Sequence, residues 1–150
     1  MNYETARKNL IEQHIRPWNV YRTDVIKSLY NVPRENFVPN KYKKYALSDL
    51  QVPLNGNDSM LSPMVEARVL QSALTKNCGE ILEIGCGSGY MAALLAQVYK
   101  SVITVEINQH LFSSLLSSII CFDSGLRRET RQPVESEVLT KQGPTSRFRV

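Results

Sequence analysis

The chain has 150 residues, 18 Lys and Arg against 14 Asp and Glu, and a net charge of +4, enough for one domain that would bury roughly 70% of its unfolded surface. Its basic residues are scattered, so the small groups Lys41, Lys43, Lys44 and Arg127, Arg128, Arg131 read as solvated faces and exclude a nucleic-acid groove. Cys78, Cys86 and Cys121 are odd in number and lack C-x-x-C spacing or flanking histidines, and no long apolar run is present, which points to reduced thiols, no metal and a soluble, cytoplasmic protein without membrane contact.

In chain order, Tyr3 to Ile15 has helical spacing through Ala6, Leu10 and His14, with Pro17 as its stop. No carboxylate or thiol is tied to His14, which reads as a packing or surface residue. Thr23 or Asp24 is expected to cap a second helix with Val25, Ile26 and Leu29 as its apolar stripe, ended by Pro33. Pro33 to Pro63 is rich in proline, glycine and asparagine and predicts a long ordered loop with short extended pieces, a kind of segment that commonly binds something. Ser62 and Pro63 should cap and start a helix that buries Met64, Val65, Ala67, Leu70, Ala73 and Leu74.

The run Glu80-Ile81-Leu82-Glu83-Ile84-Gly85-Cys86-Gly87-Ser88-Gly89-Tyr90 is the most informative stretch. Ile81, Leu82 and Ile84 read as a buried parallel strand that empties into a loop with glycine at every second position. Tyr90 to Gln97 then reads as a helix whose first amides face the loop. A dinucleotide fingerprint needs Gly or Ala three residues after Gly87, where this chain has Tyr90, so a nicotinamide-type site is excluded. A second apolar run, Val102 to Ile107, places Glu106 at a strand's carboxyl end, where it could accept hydrogen bonds from ribose hydroxyls. Asn108 can cap a helix with Leu111, Phe112, Leu115, Leu116 and Ile119 at helical spacing, and Cys121 to Val150 is charged, turn-rich and expected to be unfolded.

Glycines 85, 87 and 89 behind Glu83 resemble the first motif of S-adenosylmethionine-dependent methyltransferases. With Asn9-Leu10-Ile11-Glu12-Gln13-His14-Ile15-Arg16, Val32-Pro33-Arg34-Glu35-Asn36-Phe37-Val38-Pro39, Tyr45-Ala46-Leu47-Ser48-Asp49 and Val52-Pro53-Leu54 upstream, the order of features resembles the protein-L-isoaspartate O-methyltransferase family. The resemblance implies an α/β, Rossmann-like methyltransferase fold, incomplete here. Residues 1–75 would be an N-terminal helical subdomain with a substrate-side loop, 76–120 the first half of the cofactor-binding core, and 121–150 a disordered or aberrant tail.

It also implies S-adenosyl-L-methionine as cofactor, held by Glu83, Gly85, Gly87, Gly89 and Glu106, and isoaspartyl residues of damaged proteins or peptides as substrate. The loop from Pro53 to Pro63 would cover substrate and cofactor. Two departures stand against that pattern. The family's serine in this loop aligns with Leu61, leaving Ser59 and Ser62 as the candidate hydroxyls, and no Gly-Asp pair follows Glu106 to contact adenine. A truncated or frame-shifted chain without activity, or a methyltransferase with a different acceptor, is the alternative expectation.

Overall fold

The computed structural model describes residues 2–108, 110–111 and the strand at 146–149, in two compact units, Met1–Lys76 and Asn77–Val150.

In the first unit, α1 (Tyr3–Leu10) opens with Asn2 accepting the Thr5 N–H at 3.2 Å and runs into a π-helical turn at Ile11–Ile15 and a 3₁₀ turn at Arg16–Trp18. Pro17 therefore lies inside the last turn, and the chain leaves the helix at Asn19, which takes φ 63°, a left-handed conformation that asparagine tolerates better than most residues. His14 is exposed, while Leu10, Ile11 and Ile15 are buried. Gln71 fixes the exit: its Oε1 accepts the N–H groups of Tyr21 (3.0 Å) and Arg22 (3.1 Å), and its Nε2 donates to the Asn19 carbonyl at 2.8 Å.

Helix α2 (Thr23–Asn31) buries Val25, Ile26 and Leu29 as the spacing requires, but neither Thr23 nor Asp24 caps it. Arg22 holds the cap position and its guanidinium donates to Asp24 at 3.1 Å, so the carboxylate meets a cation instead of the first-turn amides. The segment up to Pro63 contains 3₁₀ turns at Arg34–Asn36 and Asn40–Tyr45, then an antiparallel pair, β1 (Val52–Pro53) with β2 (Ser59–Met60), in the register Val52↔Met60 and Pro53↔Ser59.

Helix α3 (Pro63–Ala73) begins with proline at its first position, where a missing N–H costs nothing. Ser62 occupies the cap position but its hydroxyl caps nothing; Asp49 takes over, accepting the Met64 N–H at 3.0 Å. The buried face is also shifted from the expected one. Ala67 and Leu70 are buried, Val65 is exposed, and Glu66 lies inside. Arg34 causes this. Its guanidinium, 1% exposed, donates to Glu66 at 2.9 Å, to the Ala46 carbonyl at 2.8 Å and to the Leu61 carbonyl at 2.6 Å, tying three loop segments to α3.

The second unit holds β3 (Glu80–Ile84), α4 (Tyr90–Leu95), β4 (Ser101–Glu106) and β5 (Ser146–Arg149) in a sheet of order β3-β4-β5. β3 and β4 are parallel, from Glu80↔Ser101 to Ile84↔Val105, and β5 runs antiparallel along β4. The β5 strand lies in the stretch expected to be unfolded; of that stretch, residues 121–145 and 150 lie outside the described residues, as does the apolar stripe from Phe112 to Ile119. In β4, Val102, Thr104 and Glu106 are buried, and α4, shorter than the Tyr90–Gln97 read from the sequence, packs against this strand.

The expectation that Leu82 and Ile84 are buried fails. They are 58% and 80% exposed, because the parallel register sets them beside Ile103 and Val105 on the sheet face away from Val102 and Thr104. Among the described residues no helix is long and apolar enough to cross a membrane.

Candidate cofactor site

The glycine loop is an extension of the sheet. The Gly85 N–H donates to the Val105 carbonyl at 2.8 Å, adding one rung beyond β3. The chain then folds under itself: Gly85, Gly87 and Gly89 have φ of 83°, 54° and 80°, where a side chain would cost roughly 1–2 kcal/mol per residue. The Gly89 N–H donates to the Cys86 carbonyl at 2.8 Å, closing the turn, and Gly89 serves as the residue before α4. Among the described residues, Gly85 and its chain neighbours aside, no atom lies within 4 Å of the position a Cβ on Gly85 would take, which leaves this flank of the loop open to them.

Glu106 joins the loop to the end of β4. One oxygen, Oε2, accepts the Gly87 N–H at 2.9 Å and lies 3.6 Å from the Cys86 Sγ; the other accepts the Asn108 N–H at 2.9 Å. Asn108 in turn caps the next turn of chain, accepting from His110 (3.1 Å) and Leu111 (3.4 Å). A carboxylate offers about four lone-pair positions. Among the described residues three are used, one of them by a weak thiol donor. Burial, then the nearby Glu106 and Glu83, push the Cys86 thiol up to about 12, so it stays protonated and able to donate to Glu106.

Glu83 lies beneath the loop on the same face. It accepts the Thr104 hydroxyl at 2.6 Å, a contact set by the register Glu83↔Thr104. Burial raises its carboxyl to about 7, the Thr104 hydrogen bond working downward and Glu106 upward. The second unit thus gathers Glu83, Gly85, Gly87, Gly89 and Glu106 at one end of two parallel strands. Ser59, exposed on β2, and the half-buried Ser62 belong to the first unit. Among the described residues no three His, Cys, Asp or Glu side chains are grouped as metal ligands.

The family model of the protein-L-isoaspartate(D-aspartate) O-methyltransferases matches residues 5–119. The chain belongs to this family. Among curated relatives, a protein-L-isoaspartate O-methyltransferase of Herpetosiphon aurantiacus is 32% identical over 109 residues, covering 73% of this chain and 49% of that protein. One of Gloeobacter violaceus is 35% identical over 98 residues, covering 65% and 48%. The chain spans about half the length of the curated relatives it matches. A solved Plasmodium falciparum protein, described as a protein-L-isoaspartate O-methyltransferase in complex with S-adenosyl-L-homocysteine, superposes with a TM-score of 0.65 at 18% identity, over 87% of this chain and 60% of that one. The fold is accordingly an incomplete α/β methyltransferase fold with an N-terminal helical part.

Within this family fold, Thr104, Cys86 and Asn108 complete the network around the two carboxylates, a role that motif spacing gives to none of them. Thr104 had a signal: it is the single polar residue within Val102-Ile103-Thr104-Val105, and a hydroxyl on the covered face of a strand needs a partner. Arg34 and Glu66 had none, since 32 residues separate them.

Proposed function

We propose that this chain binds S-adenosylmethionine at the Gly85–Gly89 loop and methylates the stray α-carboxylate of isoaspartyl residues in damaged proteins or peptides, acting in the cytoplasm. The observation that carries this reading is the Glu106 carboxylate lying against a loop of three left-handed glycines, with one acceptor position left over by the described residues. The fit is specific in kind. Gly85, Gly87 and Gly89 would take the methionine and ribose side without Cβ obstruction, Glu83 would support the loop from below, and one ribose hydroxyl would use the remaining acceptor position of Glu106. A second hydroxyl would have to displace the Cys86 thiol, the weakest of its donors. The cofactor, when bound, supplies an electrophilic methyl group on a sulfonium.

The acceptor needs little help with its proton. A carboxylate with a pKa of about 3.5 is ionised at neutral pH, so the contribution asked of the protein is proximity and alignment. Ser59 and Ser62 are the hydroxyls proposed for the acceptor side. A second reading, a methyltransferase for another acceptor, is favoured by Leu61: its side chain offers no hydroxyl, and its carbonyl is taken by Arg34 at 2.6 Å.

Calorimetry with S-adenosylhomocysteine, followed by transfer of labelled methyl to an isoaspartyl peptide and to its aspartyl counterpart, tests the proposal. Binding with transfer to the isoaspartyl peptide alone supports it in full. Binding without transfer restricts it to the cofactor, and the absence of binding overturns it.

A further inference from the structure

The turn between β1 and β2 carries a reactive pair that the cofactor site does not use. Asn55-Gly56 is the single Asn-Gly dipeptide in the sequence, and both residues are exposed. The turn is anchored on either side of them: the Leu54 N–H donates to the Asp58 carbonyl at 2.8 Å, and the Asp58 N–H donates to the Asn55 carbonyl at 3.1 Å. Between these anchors, the Asn55 carboxamide and the Gly56 N–H make no hydrogen bond with the described residues. Gly56 takes φ 62°, Asn57 has a negative φ, and among the described residues, Gly56 and its chain neighbours aside, no atom lies within 4 Å of where a Gly56 Cβ would be. Glycine thus stands with positive φ at the first central position of the turn closed by the Asn55 carbonyl and the Asp58 N–H, a place where glycine is favoured. The remaining asparagines precede residues with side chains, such as Val20, Val32 and Phe37, which crowd the following nitrogen. At Gly56 nothing does.

We propose that Asn55 is a spontaneous modification site, at which this chain itself acquires an isoaspartyl residue. The Gly56 nitrogen, giving its proton to solvent base, bonds to the Asn55 Cγ; the carboxamide C–N bond breaks and ammonia leaves. One water then opens the resulting five-membered imide. Opening at the former main-chain carbonyl leaves the backbone running through Cβ and Cγ, with a free α-carboxylate beside it. The sum is asparagine plus water giving isoaspartate plus ammonia, with no change of oxidation state.

The modified turn cannot keep its strands in place. The extra backbone methylene and new negative charge fall where the Asn55 carbonyl accepts Asp58, and β1 and β2 are joined by only two residue pairs, too few to hold their register against a lengthened connection. The product belongs to the substrate class assigned under Proposed function, and its recognition by a methyltransferase rests on that reading; formation of the ring does not.

The test uses the full chain aged at mildly alkaline pH and compared with Asn55→Gln. Trypsin releases Tyr45–Arg68 as one peptide. The expected result is a one-dalton gain confined to residue 55, with backbone fragmentation that marks isoaspartate as the larger product and no gain in the Gln variant. The aged wild-type chain, offered to a full-length active relative with labelled S-adenosylmethionine, should take up methyl at residue 55, and the Gln variant should not. No gain at 55, aspartate as the sole product, or equal gain at other asparagines overturns the proposal. If the aged chain accepts methyl from the relative while this chain transfers none, the proposed activity fails and the modification site stands.

Discussion

Replacing Arg34 by alanine should loosen the first unit more than any surface change. The guanidinium donates to Glu66, Ala46 and Leu61 over 2.6–2.9 Å from a site 1% exposed. Hydrogen bonds to a charged group contribute about 1.5–3 kcal/mol each, but their plain sum ignores the hydration that Arg34 recovers on unfolding. Removing one partner of a buried ion pair costs about 3–5 kcal/mol. The lower end applies here. Burial already raises the Glu66 carboxyl to about 7 against the pull of Arg34, so in the variant Glu66 takes up a proton near neutral pH instead of remaining a lone buried anion. A loss of about 3 kcal/mol is a large share of a total stability near 5–15 kcal/mol. The chain's one tryptophan, Trp18, lies in this unit and is about half covered, so its emission during urea unfolding is the readout. With a slope of roughly 1–3 kcal/mol per molar, the midpoint should fall by about 1 M or more. A shift of only a few tenths at unchanged slope would refute the idea that this guanidinium holds the segments together.

Three further outcomes are expected. Glu66 has a folded-state value of about 7 against 4.5, so its protonated form favours the fold; that contribution is full below about pH 4.5 and is lost as pH climbs through about 7, a change of about 3 kcal/mol. Glu66→Gln should flatten this fall in a pH series of unfolding midpoints, and an identical slope in both proteins would count against it. Gly87→Val should abolish binding of S-adenosylhomocysteine, because a branched side chain would stand in the cradle at φ 54°; a folded variant with unchanged affinity would remove the loop from the site. Glu106→Ala should weaken the same binding by roughly 1.5–3 kcal/mol, and equal titrations would mean that the carboxylate serves only the Gly87 and Asn108 amides and the Cys86 thiol.

Elements governed by short-range pattern were legible in the sequence. α2 shows its apolar stripe in Val25, Ile26 and Leu29, and the strand, glycine loop and helix from Glu80 to Leu95 reflect apolar residues giving way to alternate glycines. The features that escaped depend on residues far apart in the chain. Glu66 on the inner face of α3 contradicts any hydropathy pattern until Arg34 is known to be buried beside it. Ser62 looks like the cap of α3, but Asp49 reaches the Met64 amide first. The exposure of Leu82 and Ile84 was equally hidden, since apolar side chains do not announce which face of a sheet receives cover. Around the candidate site, the glycines and both acids could be named from spacing, whereas the pairing of Thr104 with Glu83 needed the parallel register.

The rung from Gly85 to Val105 couples the start of the loop to the sheet. With its amide held by β4, Gly85 cannot swing with the rest of the loop, and Cys86 after it is held by the Gly89 amide and by Glu106. Deuterium should therefore enter the Gly85 amide only when the two strands part, in step with the interior of the ladder and far behind exposed turns. The mouth of the loop thus inherits the cohesion of β3 and β4. A lesion at the opposite end of β4, such as trimming the fully buried Val102, would register at Gly85 as faster exchange, well removed from the altered side chain.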